Sequence, residues 1–238
     1  MALLVIAHRG ASGTRPENTL VSFRRAVELG AHMIELDAQL TADGAVVVLH
    51  DDTLDRTTDG MGPLVTRTLA EIRQLDAGRW FDPACAGERV PTLAEVLAAI
   101  QIPINVELKG IRPDDLEARA LAAVEEAGAL ERVVFSSFEP ERLIALRALT
   151  QRAALAVLWS RPKVGDALRL AERVGARALH VRNDRRAVTA IAAGVGAGLA
   201  VRVWTVNSPA DLASLVDAGA SGIFTDFPER FLQPLAPE

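Results

Sequence analysis

The 238-residue sequence contains a single cysteine, Cys85. An intrachain disulfide is therefore excluded, and a reducing cytoplasm is the expected location. The sequence also has no run of 18 or more apolar residues, so we predict no transmembrane helix and no stable membrane insertion. The apolar start, MALLVIA, lacks basic residues and is too short for the apolar region of a signal peptide. We interpret it as a buried first strand.

An excess of positive charge is absent too. The 26 Lys and Arg residues against 31 Asp and Glu residues give a net charge of −5. This balance argues against a large basic surface, so we expect no nucleic-acid partner. A small anionic substrate remains compatible with it, because such a ligand responds to the local field of its pocket. The sequence leaves the oligomeric state open.

Short β-like runs alternate with longer amphipathic runs along the whole chain. The strand candidates are residues 3–8, 33–37, 104–109, 133–138, 155–159, 178–182, 201–206 and 222–226. Several helical runs between them begin at Asn, Ser or Pro-Asp and end at Gly. Eight such units predict a (β/α)8 TIM barrel. The alternative, an open doubly wound sheet, should carry GxGxxG after the first strand, where this chain has HRGASG.

One segment interrupts the alternation. The run AVVVLHDD follows IELDAQL after only the four residues TADG, too few for a parallel crossover. We therefore predict a β-hairpin over residues 34–50 in the second βα unit, with Asp-Gly as its two-residue turn. In this register His50 lies opposite Asp37, with about 5 Å between their Cβ atoms. Glu35 and Asp37 share one face. A bulge would shift the pairing by one residue.

A long excursion follows the hairpin. Long loops in compact domains often act as lids or binding loops, and TLAEIRQLD within this one has a helical pattern. We therefore interpret residues 1–238 as a single barrel domain and residues 51–91 as a small inserted capping segment. Further along, the glycines of GVGAG at residues 194–198 predict a loose loop.

Acidic side chains collect at the predicted carboxyl ends of the strands, where barrel active sites lie. Glu35 and Asp37 lie on the second parallel strand and Glu107 lies on the third. Left bare, three converging carboxylates would repel one another, and burial would keep at least one of them protonated. A cation held by all three would remove this conflict. Oxygen ligands favour Mg²⁺ or Ca²⁺, and the absence of HxH or HExxH disfavours zinc.

Basic side chains meet at the same end of the predicted barrel. His8 ends the first strand and His50 ends the returning arm of the hairpin. Beside a divalent ion, two histidines can act as general acid and base near neutral pH. Arg9 and Lys109 add positive charge. Together these groups provide what hydrolysis of a phosphodiester needs: neutralised non-bridging oxygens, a base for the nucleophile and an acid for the leaving group.

A set of motifs then occurs in a fixed order along essentially the whole chain: HRG, RPENTLVSF, ELDAQLTADGAVVVLHDDTLDRTTDG, GERVPTLAEVL, NVELKG, SSF, VWTVN and GIFTDFP. HRG and SSF are weak signals alone, but the ordered set resembles the glycerophosphodiester phosphodiesterase family. The resemblance implies a phosphatidylinositol-phospholipase-C-like barrel that hydrolyses glycerophosphodiesters, such as glycerophosphocholine, to glycerol 3-phosphate and an alcohol. The attacking group would be the glycerol's own hydroxyl or water.

The resemblance also implies roles for individual residues. These are the acid–base pair His8 and His50, the metal ligands Glu35, Asp37 and Glu107, and the phosphate-binding residues Arg9 and Lys109. To these we add Trp204, which either packs in the barrel or lines the pocket for glycerol or headgroup, and we count it as substrate-binding.

Structural roles compete with the functional ones. They include ion pairs Arg9–Glu17 and Lys109–Glu107, a helix cap at Asn18, and orientation of a neighbouring group by Asp51 or Asp226. Two other functions also stay open. One is a phosphodiesterase of the same superfamily that cleaves phospholipids, for which no membrane-docking segment is evident. The other is a barrel that binds a metal or phosphorylated ligand without catalysis, which would require the loss of a histidine or acid, and none of them is missing.

Overall fold

Eight parallel strands close into a barrel in the computed structural model, which describes residues 3–110, 114–160 and 163–232. Each parallel strand pairs with two neighbours, and pairing of the first strand with the second closes the ring. The predicted (β/α)8 barrel is therefore confirmed. The nine strands in the described ranges are β1 (Leu4–Ala7), β2 (Met33–Leu40), β3 (Val46–Val48), β4 (Ile104–Leu108), β5 (Val133–Ser137), β6 (Ala154–Trp159), β7 (Ala178–Arg182), β8 (Ala200–Trp204) and β9 (Gly222–Thr225).

Helices surround the barrel. Those in the described ranges are α1 (Leu20–Glu28), α2 (Leu69–Ile72), α3 (Leu93–Ala99), α4 (Leu116–Glu126), α5 (Pro140–Leu149), α6 (Val164–Val174), α7 (Ala187–Gly196) and α8 (Leu212–Asp217). Local chemistry explains their ends: Thr92 and Glu95 form a capping box at α3, and Gly175 ends α6 in the left-handed conformation. Across the described residues, no helix combines the length and apolarity needed to cross a membrane.

The hairpin is present, but its predicted register is wrong by one residue. β2 and β3 pair antiparallel with Ala38 opposite Val48, so Leu49 and not His50 faces Asp37; the Leu49 N–H donates to the Asp37 carbonyl at 2.9 Å. The reason is the turn, which has three residues between Thr41 and Ala45 rather than two. Its last residue, Gly44, has φ +79°, the left-handed conformation that this longer turn requires.

The segment after the hairpin has its own small core. Its elements are a 3₁₀ turn at Leu64–Thr66, helix α2 and a second 3₁₀ turn at Pro83–Cys85. A separate cluster of buried apolar residues joins it to the hairpin: Val47, Leu49, Leu54, Leu64, Ile72, Ala77 and Val90. Because Val47 and Leu49 belong to this cluster, the hairpin is the platform on which the inserted segment packs.

The predicted loose loop at residues 194–198 is wrong. Gly194 and Gly196 lie in the last turn of α7, which ends at Gly196. A Cβ atom on Gly194 would lie only 2.6 Å from Val201 Cγ2 and 3.2 Å from Leu179 Cδ2. This glycine therefore permits close approach of the helix to the barrel, a reason for glycine that a local reading of the sequence does not distinguish from flexibility.

Apolar side chains inside the barrel lie against the buried polar groups of His180 and Arg202. Ile6, Met33 and Phe224 form a buried cluster there, with Leu4, Val134 and Trp204 packed against it. A larger core joins the strands to the helices around them. The side chains beneath the carboxyl ends of the strands are thus buried from solvent, and charges there are poorly solvated and interact strongly.

Candidate active site

A cavity of about 260 Å³ opens at the carboxyl ends of the strands. Its lining in the described part of the chain is His8, Arg9, Glu35, His50, Asn105, Glu107, Lys109, Phe138, Leu158, Trp204 and Phe224. The sequence-predicted site residues are therefore brought together. Asp37 alone among them is absent from the lining, and it lies directly behind the lining residues, within 3.3 Å of Arg9 Nε and 3.6 Å of Lys109 Nζ.

Three buried carboxylates form the negative centre of this cavity. One oxygen from each of Glu35, Asp37 and Glu107 lies within 4.8 Å of the other two. Strand pairing explains the convergence, because β2 and β4 place Asp37 beside Glu107 in register. Asp37 Oδ1 is buried and has no hydrogen-bond partner among the residues described. Carboxylate oxygens this close, beside a buried oxygen that makes no hydrogen bond, fit a hard divalent cation.

The charges of the carboxylates are strongly perturbed. Burial, and after it the charge of Asp37, raises the pKa of Glu35 to about 8. The same two causes raise the pKa of Glu107. Burial opposes ionisation of Asp37 as well, but Arg9 and Lys109 outweigh it and hold the Asp37 pKa well below its usual range. Without a cation, the site therefore retains at least one proton at neutral pH, as expected for crowded acids.

Each cavity histidine is oriented by a carboxylate. Asp226 Oδ1 lies 2.7 Å from His8 Nδ1, and Asp51 Oδ1 lies 2.6 Å from His50 Nδ1. A carboxylate acceptor places the proton on Nδ1, so Nε2 of each ring is free to exchange a proton with a ligand. Asp226 is itself held by Asn207, whose Nδ2 donates to Asp226 Oδ2 at 2.6 Å. The structural roles suggested for Asp51 and Asp226 thus serve the site.

The pKa values of the two histidines move in opposite directions. Burial opposes charge on His8, but the hydrogen bond to Asp226, together with the charge that Glu35 carries when it is ionised, outweighs burial and raises the His8 pKa. At His50 burial dominates, with Arg9 and Lys109 adding to it, and the pKa is lowered. Groups pushed apart in this way are suited to opposite roles in proton transfer.

Arg9 occupies a strained backbone position, with φ +56°. The left-handed conformation costs a non-glycine residue about 1–2 kcal/mol. Hydrogen bonds compensate for this cost: the Arg9 N–H donates to Glu35 Oε2 at 2.9 Å, and the Arg9 carbonyl accepts from Asn18 N–H at 3.1 Å and from Ser22 Oγ at 3.0 Å. These hydrogen bonds hold Arg9 beside the carboxylates in a strained conformation, as is common at functional sites.

The cationic side chains make the ion pairs suggested by the sequence. Arg9 NH1 donates to Glu17 Oε1 at 2.8 Å, and Lys109 Nζ donates to Glu107 Oε1 at 3.0 Å. The predicted helix cap at Asn18 is wrong, because Thr19 caps α1 by accepting from Ser22 N–H. Asn18 instead donates from Nδ2 to Asp37 Oδ2 at 2.8 Å, which makes it part of the site.

Two supporting residues were missed by the sequence reasoning. Gln39 Nε2 lies 2.9, 3.1 and 2.8 Å from the carbonyl oxygens of Leu49, His50 and Asp51. Strand alternation was the available signal, since Gln39 continues the face of Glu35 and Asp37. The other is Arg56, which lies in the DTLDRTTDG part of the inserted segment, where no periodic pattern indicates a role.

The chain matches the model of the glycerophosphoryl diester phosphodiesterase family over residues 8–230. It belongs to this family. A glycerophosphodiester phosphodiesterase of Caldanaerobacter subterraneus subsp. tengcongensis is 39% identical over 237 residues, which cover 98% of this chain and 97% of that protein. One from Bacillus subtilis is 34% identical, covering 96% of this chain and 85% of that protein.

Solved structures agree with this assignment. An Oleispira antarctica phosphodiesterase in complex with the product sn-glycerol-3-phosphate is similar with a TM-score of 0.85 and 34% identity, covering 95% of this chain and 94% of that one. A glycerophosphodiester phosphodiesterase from Agrobacterium tumefaciens is similar with a TM-score of 0.81 and 28% identity, covering 97% and 99% of the two chains. The family resemblance seen in the ordered motifs is thereby confirmed.

Proposed function

We propose that this protein hydrolyses glycerophosphodiesters to glycerol 3-phosphate and an alcohol, as a step of lipid and glycerol metabolism. Family membership supports the reaction class, and the Oleispira antarctica relative is similar to this chain while holding sn-glycerol-3-phosphate. The observation that carries the proposal is the shared cavity: His8 and His50, each with Nδ1 tied to a carboxylate, line it together with two of the three converging acids.

Glu35, Asp37 and Glu107 would hold one divalent cation, Mg²⁺ or Ca²⁺, since hard ions prefer oxygen ligands. When bound, this ion supplies positive charge that neutralises the carboxylates and the phosphate oxygens. Arg9 and Lys109 line the same cavity and contribute fixed positive charge toward the phosphate. Trp204 lines the same cavity and would contact the glycerol or the headgroup. Its ring and that of Phe138, which also lines the cavity, make a T-shaped contact with 5.4 Å between the ring centroids.

Proton transfer is assigned to the two histidines. His50, whose pKa is lowered, accepts the proton of the attacking hydroxyl at Nε2. As the new P–O bond forms and the bond to the leaving alcohol breaks, His8 Nε2 donates a proton to the departing oxygen. When water attacks, this step releases glycerol 3-phosphate directly. When the glycerol's own hydroxyl attacks, the product is a cyclic phosphodiester, which water opens to glycerol 3-phosphate as His8 accepts the water proton and His50 returns its proton to the glycerol oxygen. The raised His8 pKa supports this role, because an acid must be protonated at working pH. Asp51 and Asp226 hold the rings in the required tautomers.

The acid–base assignment is tested by removing each ring. His8→Ala and His50→Ala should each lower kcat for glycerophosphocholine about 10²- to 10⁴-fold. His32→Ala is the matched control, because among the described residues the His32 ring accepts only from the Val5 N–H and is not part of the cavity lining. Wild-type rates in both cavity variants would eliminate the acid–base mechanism. Binding of glycerol 3-phosphate without any turnover by the wild type would favour a non-catalytic barrel.

The metal and the substrate are tested in one panel. Chelation should abolish turnover, and separate additions of Mg²⁺ and Ca²⁺ identify the ion that restores it. Release of glycerol 3-phosphate from diesters with choline, ethanolamine, serine or glycerol headgroups measures preference, and phospholipid vesicles test the superfamily rival. Turnover that is indifferent to chelation would contradict the carboxylate site. The expected cytoplasmic location rests on cysteine usage and is tested by cell fractionation.

A further inference from the structure

Arg56 in the inserted segment binds two carboxylates at once. Its Nε donates to Asp51 Oδ2 at 2.6 Å and NH2 donates to Asp51 Oδ1 at 2.9 Å. On the other side, NH1 donates to Glu17 Oε2 and NH2 donates to Glu17 Oε1, each at 2.8 Å. Planar guanidinium suits such paired contacts, whereas the ammonium group of lysine does not.

Each of these carboxylates holds a group that lines the cavity. Asp51 Oδ1 also contacts His50 Nδ1, at 2.6 Å. Glu17 Oε1 also accepts from Arg9 NH1, at 2.8 Å. Arg56, Asp51 and Glu17 are themselves absent from the described lining of the cavity. Arg56 therefore connects the proposed base and a proposed phosphate-binding residue from outside the cavity.

We propose that Arg56 is a positioning residue that fixes His50 and Arg9 relative to each other by bridging Asp51 and Glu17. The inference rests on the proposed function. It gives the inserted segment a part in assembling the catalytic groups, because Arg56 belongs to that segment while Glu17 belongs to the loop between β1 and α1. Displacement of that loop relative to the insertion would change the His50–Arg9 geometry, and small misplacements of reacting groups can cost about 10²-fold in rate.

A contribution of Arg56 to stability has to be separated from its effect on catalysis. An isolated exposed ion pair contributes only about 0–1 kcal/mol to stability, but Arg56 makes paired contacts to two carboxylates, and Glu17 and Asp51 are only 13% and 27% exposed. The same insertion offers a matched pair, since Arg73 is 41% exposed and its NH1 lies 2.8 Å from Glu95 Oε1. Arg73 has no contact with Asp51 or Glu17 among the described interactions, so it isolates the general effect of losing an exposed arginine.

The test compares Arg56→Ala, Arg56→Lys and Arg73→Ala with wild type, using glycerophosphocholine and saturating metal. Arg56→Ala should lower kcat about 10- to 100-fold with a smaller change in KM, and guanidinium at millimolar concentration should restore part of kcat. Arg56→Lys should recover little, because an ammonium group cannot bridge four oxygens. Arg73→Ala should keep kcat within about twofold of wild type and gain nothing from guanidinium.

Several outcomes would overturn the proposal: wild-type kcat in Arg56→Lys, equal losses in Arg56→Ala and Arg73→Ala, or no rescue by guanidinium in a folded Arg56→Ala protein. Thermal melting followed by circular dichroism reports folding, and Arg56→Lys decides the matter where Arg56→Ala does not fold. Failure of the proposed function is distinguishable, because wild type and Arg73→Ala would then both be inactive on the diester panel.

Discussion

Replacing Glu35 by glutamine should stabilise the metal-free protein while removing its response to metal. The reason is proton uptake on folding. In the unfolded chain Glu35 has its ordinary pKa of 4.5, but in the folded, metal-free site the pKa is raised to about 8. At pH 7 the Glu35 carboxylate is ionised in the unfolded chain, so folding of the metal-free protein takes up a proton. Over the roughly 2.5 pH units between 4.5 and 7, at about 1.4 kcal/mol per unit, this costs about 3 kcal/mol.

The sign follows from linkage. Between pH 4.5 and 8 the folded state binds more protons than the unfolded state, so the stability contributed by Glu35 is present at low pH and lost as pH rises. Glutamine keeps the shape and an acceptor for the Arg9 N–H but takes up no proton. In the presence of chelator, the free energy of unfolding of Glu35→Gln should exceed that of wild type by about 3 kcal/mol at pH 7 and by less than about 1 kcal/mol at pH 5.

Urea unfolding monitored by tryptophan fluorescence, at pH 5, 6, 7 and 8 in chelator, gives these values when the m-values of the two proteins agree. Added Mg²⁺ or Ca²⁺ at 1,000 times Kd should then stabilise wild type by about 4.1 kcal/mol, more than its deficit of about 3 kcal/mol, and leave Glu35→Gln nearly unchanged. The two proteins thus exchange rank when metal is added. This reversal is expected of a functional site whose carboxylates destabilise the protein until a metal ion binds.

Glu117→Gln is the matched control, because Glu117 is also buried but is paired with Arg142 NH1 at 3.0 Å. Breaking a buried ion pair destabilises a protein, so this variant should lose stability at pH 7. The reasoning on Glu35 would be refuted if Glu35→Gln were no more stable than wild type at pH 7 in chelator. A gain of equal size at pH 5 and pH 7 would also refute it.

Two further predictions concern neighbouring groups. Gln39→Leu should lower kcat about tenfold or more by freeing the backbone around His50, whereas Gln101→Leu, which removes only an exposed bond to the Ala98 carbonyl, should not alter kinetics. His180 is fully buried, and burial holds its pKa well below 6.5. Below pH 6.5 the unfolded state therefore binds a proton at this residue more readily than the folded state, and the free energy of unfolding falls. Between pH 6.5 and pH 5, the free energy of unfolding measured in urea titrations should therefore fall by up to about 2 kcal/mol more in wild type than in His180→Leu.

The barrel and most of the cavity followed from sequence because both depend on local pattern. Eight apolar runs separated by amphipathic ones specify parallel strands with crossovers, and parallel strands bring their carboxyl ends to one rim. Acids at positions 35, 37 and 107 could therefore be placed together without coordinates, and their oxygens lie within 4.8 Å of one another. Residues far apart in sequence converge here through the periodicity of the fold alone.

Supporting contacts could not be predicted in this way, because they depend on loop geometry. Asn18 looks like a helix cap in sequence, yet the chain turns there with φ +58°, Thr19 takes the capping role, and the Asn18 amide reaches Asp37. Arg56 lies in DTLDRTTDG, the part of the insertion that has no periodic pattern, so the packing of the insertion decides that its partners are Glu17 and Asp51. The side chains of asparagine and arginine have several possible hydrogen-bond partners nearby, and the tertiary structure decides which of them is used.

The position of His50 shows how a right placement can have a different cause from the predicted one. A one-residue register shift turns every paired side chain to the opposite face, and with Leu49 opposite Asp37, a continuing strand would turn His50 away from the acids. β3 ends at Val48, however, so His50 is outside the ladder and its direction is set by the Gln39 amide and by Asp51. Strand β3 brings the chain to the carboxyl end of the barrel, and the hydrogen bonds made by Gln39 and Asp51 after this strand orient the His50 ring.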